Sequence, residues 1–275
     1  MSNDAQSARS LKAQDSAERA LIIQSLAQLV EPLASLMPDC EVVVHDLSQV
    51  PTTIVAIAGG LTGRKVGNPA TDVLLKQLAE GRVRTMVNYS SVLPDGRRIR
   101  CATIAVKDSQ GEPVAALCIN SSVEIWSGLL KICQQMLYGS IDASSESELE
   151  VDFDKDLDQN QRYGIGKKTG FETGQISRGT DSAEANSAGE VFVHNLDDLA
   201  NIVLDRAVAS QGVPVELMTK SHKKEVIRQA KEQGFFFLRD AAETLADRLQ
   251  ISRFTVYNYL KEIEETTSVK DKKKQ

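Results

Sequence analysis

This chain holds few of the residues from which catalytic and metal centres are built: three histidines, four cysteines and one tryptophan in 275 residues. His45, His194 and His222 lie far apart and in unlike contexts. No H-E-x-x-H, G-x-S-x-G or Walker pattern occurs, and Gly59-Gly-Leu-Thr-Gly-Arg-Lys-Val-Gly67 lacks the spacing of a phosphate-binding loop. Cys40, Cys101, Cys118 and Cys133 show no C-x-x-C spacing, so neither zinc nor a dithiol redox centre is supported. A Cys118–His45 nucleophile and base can be drawn. Yet Cys118 sits in Val114-Ala-Ala-Leu-Cys-Ile119, the composition of a buried strand, where cysteine packs rather than reacts. No secretory leader or membrane span is legible, so the expected compartment is the reducing cytoplasm. Enzyme chemistry is not expected, and neither is a metal or cofactor; haem on His45 is conceivable, but nothing in the sequence requires it.

What is present is an uneven distribution of charge and apolar residues. The chain is acidic, with a formal net charge of −6, and its length suggests about two domains. Residues 1–140 are balanced, with 13 cations and 13 anions. Residues 141–190 break the composition, with 13 apolar residues in 50 and 12 acids against five bases. Such a segment buries too little surface to offset its ordering entropy and reads as a flexible acidic linker. The polar stretch 1–16 reads as a disordered N-terminus, and 266–275 as a basic tail. A domain at 17–140 and a second at 191–265 remain.

The first domain mixes helix and strand. Residues 17–37 carry Leu21, Ile22, Leu26, Leu29, Val30 and Leu33 at helical spacing, with Pro32 able to bend or end the helix. Residues 41–47 and 53–58 read as strands, followed by a glycine-rich loop over 59–69. Thr71 caps a helix to about Leu78, stopped by Gly81. Strands at 83–92, 97–107 and 113–120 follow, joined by Pro94-Asp95-Gly96 and Ser109-Gln110-Gly111, and a helix fills 122–138. This order is that of a PAS or closely similar sensor sheet. The fold class is therefore α+β, a PAS-like antiparallel sheet followed by an all-α helix-turn-helix domain.

The second domain carries the most specific pattern. Ala242, Leu245, Ala246 and Leu249 repeat at helical spacing, as do Val256, Tyr259, Leu260 and Ile263, with Gln250-Ile251 between them and Ser252 as an N-cap. Two short helices at a steep angle form a helix-turn-helix, whose second helix offers its outer face to a DNA major groove. At about 100° per residue, Phe254, Asn258 and Lys261 lie opposite the apolar side with Tyr257 beside them, and Arg253 and Thr255 fall in the first turn. Arg253 suits guanine or phosphate, Asn258 adenine, Thr255 thymine or phosphate, and Tyr257 phosphate. An ordinary helical hairpin with a solvated polar face is the bland reading. The polar set on one face favours double-stranded DNA. Residues 215–261 hold nine cations against six acids, a local excess in an acidic chain. Phe235 to Phe237 reads as an extended strand packing the core of a four-helix module.

The stretch from Met218 to Leu260, with I-S-R-F-T-V-Y-N-Y-L at its heart, resembles the C-terminal module of the YheO-like PAS and helix-turn-helix transcriptional regulators. The first domain resembles their sensor through H-D-L, I-V-A-I-A, G-R-K-V-G-N-P-A-T-D, N-Y and A-L-C-I-N. The family usually has Ala-Asn-Gly where this chain has Ala58-Gly59-Gly60, and often His where it has Leu61. The resemblance implies a bacterial DNA-binding regulator with a small-molecule effector.

Candidate effector-binding residues are His45, Asp46, Arg64, Tyr89, Thr103 and Asn120. Arg64 and the glycine-rich loop suit an anionic or amino-acid-like ligand, although each residue also has a plain structural use, as a satisfied histidine, a turn cap or an ion-pair partner. A helix-turn-helix reads a palindrome best as a pair, so a homodimer or higher assembly is expected, with the helices at 17–37 and 122–138 as the contact. The other reading is a small-molecule-binding protein whose helical module recruits another protein.

Overall fold

The computed structural model describes residues 2–138, 177–178 and 190–272. Helix α1 (Ser2–Ser35) precedes β1 (Cys40–Asp46) and β2 (Ile54–Ala58), and α2 (Asp72–Ala79) leads to β3 (Met86–Val92), β4 (Arg98–Lys107), β5 (Pro113–Ser122) and α3 (Glu124–Tyr138). A short strand, β6 (Ser177–Arg178), pairs parallel with β3. The sheet order is β2-β1-β5-β4-β3-β6, and the first five strands are joined antiparallel. This is the expected PAS-like sheet, with β5 at its centre between β1 and β4.

Strand alternation gives the sheet two faces. Val42 and Val44 of β1 and Leu117 of β5 pack under α1 through Ile23, Leu26, Val30 and Leu33. Glu41, Val43 and His45 of β1 point the other way, beside Cys101 and Thr103 of β4 and Cys118 and Asn120 of β5, and all seven are buried. Thr71 caps α2 by accepting from the Leu74 N–H, as its place in the sequence suggests. Asn88 takes a positive φ of 60° at the bulge in β3, which leaves Tyr89 facing inward.

The second domain contains α4 (Leu196–Ala209), α5 (Lys220–Glu232), α6 (Ala241–Leu249) and α7 (Arg253–Lys272), with 3-10 turns at Val215–Leu217 and Phe235–Phe237. Asn195 caps α4 and Thr219 caps α5. Leu199, Leu204, Ile227, Phe235, Leu245 and Leu249 form one core with Val256 of α7.

Four expectations change. The N-terminal stretch assigned to 1–16 is helical from Ser2, in keeping with its Ala, Gln, Arg and Lys content, which suits a helix even without an apolar stripe. Pro32 lies inside α1 and does not end it, and Leu21 and Leu29 face outward because the packed stripe is centred on Leu26 and Val30. Phe235 to Phe237 is a 3-10 turn and not a strand: Gly234 at φ 77° reverses the chain, driving Phe235 inward while Phe237 stays partly exposed. The expected tail from 266 begins as a continuation of α7, which runs to Lys272. The acidic linker at 141–190 lies outside the described residues except for Ser177, Arg178 and Glu190, and Glu190 is buried.

Candidate functional site

Two polar surfaces stand out, one closed and one open. The open one is on α7. Gln250 ends α6 in the left-handed conformation, Ile251 N–H returns to the Ala246 carbonyl, and Ser252 Oγ accepts from Thr255 N–H at 3.1 Å. This turn buries Val256 and Ile263 against the module core and leaves the opposite side of α7 outward. Ser252, Arg253, Phe254, Tyr257, Asn258 and Lys261 are exposed, and Thr255 is half-buried. All seven expected recognition residues thus fall at the start or on the outer side of one helix. Arg253 is held by Glu243 at 3.4 Å in an exposed pair that is weak enough to exchange for a phosphate or base.

The cations behind this face are more occupied than their number suggests. Lys220 and Lys224 pair with Glu262, Lys231 with Glu264, Arg228 with Glu225 and Glu232, and Arg248 with Asp205. Lys223 donates to the Leu249 carbonyl at 2.8 Å and so fixes the end of α6. Several of the nine cations therefore stabilise the module rather than project free charge.

The closed surface is the inner face of the sheet. Glu41, fully buried, accepts from Thr62 N–H at 2.9 Å, from Thr62 Oγ1 at 2.8 Å, and from Arg64 Nη2 and Asn120 Nδ2 at 3.3 Å each. Arg64 Nε also donates to Thr62 Oγ1 at 3.0 Å, while Arg64 Nη1 is buried with no hydrogen-bond partner among the described residues. Tyr89 and Thr103 share a hydroxyl contact of 2.9 Å, and Thr103 Oγ1 lies 3.5 Å from Cys118 Sγ. Burial pushes the Cys118 thiol up to about 12, which keeps it a protonated packing group. His45 Nδ1 meets Thr53 Oγ1 at 2.7 Å, and burial, helped by Arg64, lowers its pKa to about 3. It is therefore a neutral imidazole at physiological pH.

Of the six expected effector residues, the fold gathers His45, Arg64, Tyr89, Thr103 and Asn120 on this inner side. Asp46 turns away, accepting from Ser48 N–H at 2.9 Å, Ser48 Oγ at 2.7 Å and Gln49 Nε2 at 2.9 Å as a turn cap. Glu41 and Thr62 escaped the sequence reading, although Glu41 shares the strand register of Val43 and His45. Glu190 and Phe192 escaped it as well, one at the last position of the segment read as linker and the other at the start of the second domain. Gly59 carries φ 85°, and a Cβ there would meet the Cys40 carbonyl oxygen at 2.1 Å. Gly59 therefore stands where two backbones approach closely.

A PAS-like sheet followed by a helix-turn-helix module defines a two-domain PAS and helix-turn-helix class. Comparison with known proteins agrees. The YheO-like PAS domain model matches residues 16–138 and a helix-turn-helix domain model matches residues 199–261. The chain therefore carries a YheO-like PAS domain followed by a helix-turn-helix domain. It is 25% identical to an uncharacterized protein of Haemophilus influenzae over 89% of this chain and 92% of that protein. It is 23% identical to YheO of Escherichia coli K12 over 88% and 84%. It is 24% identical to the transcriptional regulator DauR of Pseudomonas aeruginosa over 88% and 95%. Solved light-oxygen-voltage domains are also similar, one at 24% identity over 40% of this chain and 96% of its own, with a TM-score of 0.25. That likeness transfers neither flavin nor light response. No helix among the described residues is long and apolar enough to cross a membrane.

Proposed function

We propose that this protein is a DNA-binding transcriptional regulator whose PAS-like domain answers to a small, amino-acid-like effector. The observation that carries the first half is the division of α7 into a packed side, with Val256 and Ile263 buried, and an outer side bearing Arg253, Tyr257, Asn258 and Lys261. A helix of this kind reaches base edges from its first turns while its neighbours hold the backbone. DauR, a relative over nearly the whole of its length, is named as a transcriptional regulator. The effector half rests on the inner face, where Arg64 retains an unpaired donor suited to a carboxylate.

Regulators of this type act as pairs. Helix α3 exposes Ile125, Trp126, Leu129, Ile132, Met136 and Leu137, an apolar surface that a second copy would cover. Ser122 N–H bonds the Asp39 carbonyl, so α1 ends where α3 begins, and Leu36 adds to the same end. A homodimer through this end presents two recognition helices to a palindromic operator.

The test is selection of genomic duplex fragments on the purified full chain at stated salt, beside an Arg253→Ala, Asn258→Ala double variant. Enrichment of a palindromic site that the variant loses supports the reading. Binding that is blind to sequence and equal in both proteins refutes it and favours a protein-recruiting module.

A further inference from the structure

The segment Glu190–His194 leaves the linker and enters the sensor before it reaches α4. Phe192 is buried among Leu61, Tyr89, Leu93, Ile99 and Cys101, with the Arg64 guanidinium carbon 4.9 Å from the centre of its ring. Polar contacts fix the segment along its length. Ser91 Oγ donates to the Glu190 carbonyl at 3.1 Å, and Val191 N–H donates to Asp72 Oδ1 at 2.7 Å. Asn68 Nδ2 donates to the His194 carbonyl at 2.7 Å, and His194 Nε2 lies 3.1 Å from the Thr62 carbonyl. The contact is close enough to constrain glycine, since a Cβ on Gly63 would stand 3.2 Å from His194 Nε2.

The same elements hold the second domain. Asp72 also pairs with Arg206 of α4. Leu75 of α2 is a member of the module's own core, and a Cβ on Gly234 would stand 2.7 Å from the Leu75 carbonyl oxygen. One carboxylate, Asp72, therefore joins the inserted segment to the module.

The closure is incomplete in its polar accounting. Glu190 Oε2 and Arg64 Nη1 are both buried without a hydrogen-bond partner among the described residues. Orphaned buried polar atoms disfavour the arrangement that creates them. The segment is thus well packed at Phe192 and poorly satisfied beside it, the balance expected of an element that is closed but not locked.

We propose that Glu190–His194 is a latch: it fills the sensor interior as a built-in occupant, opens apart from the rest of the fold, and in opening unties the DNA-binding module from α2. An effector that reaches Arg64 does so in place of Phe192, so occupancy of the sensor and freedom of the module are one equilibrium. The effector role of the latch rests on the sensing function proposed above; its opening does not.

The chain carries its own reporters. Cys101 and Cys118 lie on the inner face and Cys40 lies beneath α1 on the other, all buried, whereas Cys133 is exposed. Alkylation of the native full chain with iodoacetamide, resolved by peptide mass spectrometry, needs neither effector nor DNA. A latch that opens locally gives Cys101 labelling at least about tenfold faster than Cys40. Phe192→Ala raises the Cys101 rate by about another tenfold and leaves that of Cys40 unchanged. Arg206→Ala, made in the module and outside the cluster around Cys101, raises it about threefold through Asp72. A single common rate for Cys40, Cys101 and Cys118 in all three proteins would overturn the latch. An Arg206→Ala variant that labels at Cys101 like the parent would overturn its tie to the module. Failure to find an effector would leave both results standing, so the two readings fall separately.

Discussion

The inner face of the sensor sheet and the outer face of α7 are both rich in polar side chains, yet they are built on opposite terms. Around Glu41 the polar groups are buried and bonded to one another, and an isolated charge there would be costly. Around Asn258 they stand in water and are held loosely, as in the Arg253–Glu243 pair. A buried polar network is intolerant of change and selective for what enters it. An exposed one can be altered freely until a partner is added. The difference separates residues that hold this molecule together from residues left free to meet another.

The largest expected effect tests the buried side. Arg64→Met leaves the Glu41 carboxylate buried without its cation and should cost about 3–5 kcal/mol of stability, read as a lower urea midpoint. A cost near zero would mean that water already reaches Glu41. On the exposed side, Asn258→Ala should leave the melting temperature unchanged and weaken binding to the selected duplex by about 1–3 kcal/mol, read by titration at fixed salt. Loss of stability instead would make α7 a structural helix.

A smaller effect follows from Glu190. Burial raises its pKa above the ordinary carboxylate range; Asp72 adds to the rise, while Thr71, Arg64 and Tyr89 oppose it. The folded chain therefore holds this proton more tightly than the unfolded chain. Its contribution is fully present below the unfolded carboxylate pKa and declines as pH rises through the raised value. Glu190→Gln should flatten that decline and raise the melting temperature at neutral pH relative to the parent. An unchanged pH profile would place Glu190 in water. The smallest effect is expected at Arg248→Ala: its exposed pair with Asp205 is worth about 0–1 kcal/mol, so thermal melting should scarcely move.

Periodicity and caps made most of the fold legible. Thr71 and Ser252 each mark a helix start in the sequence and each caps one in the structure. The recognition face was legible too, because one helix and its 3.6-residue repeat decide which side is out. The sensor interior was harder. Arg64, Tyr89, Thr103 and Asn120 are legible as candidate effector residues, but their partners come from a distance: Glu41 meets residues 21 to 79 positions away. Glu190 closes a long acidic stretch, and nothing local says that Val191-Phe192-Val193 returns to strands that precede that stretch in the chain. Asp46 looked like its neighbour His45, yet a one-residue step along a strand places it on the other side.

The central claim is that the outer face of α7 reads DNA while contributing little to the fold. The most direct measurement is binding of the selected duplex by the parent and by the Arg253→Ala, Asn258→Ala double variant, with thermal melting of both on the same preparations. Sequence-specific binding lost in the variant, at an unchanged melting temperature, is the predicted result. Equal binding by both proteins would contradict it.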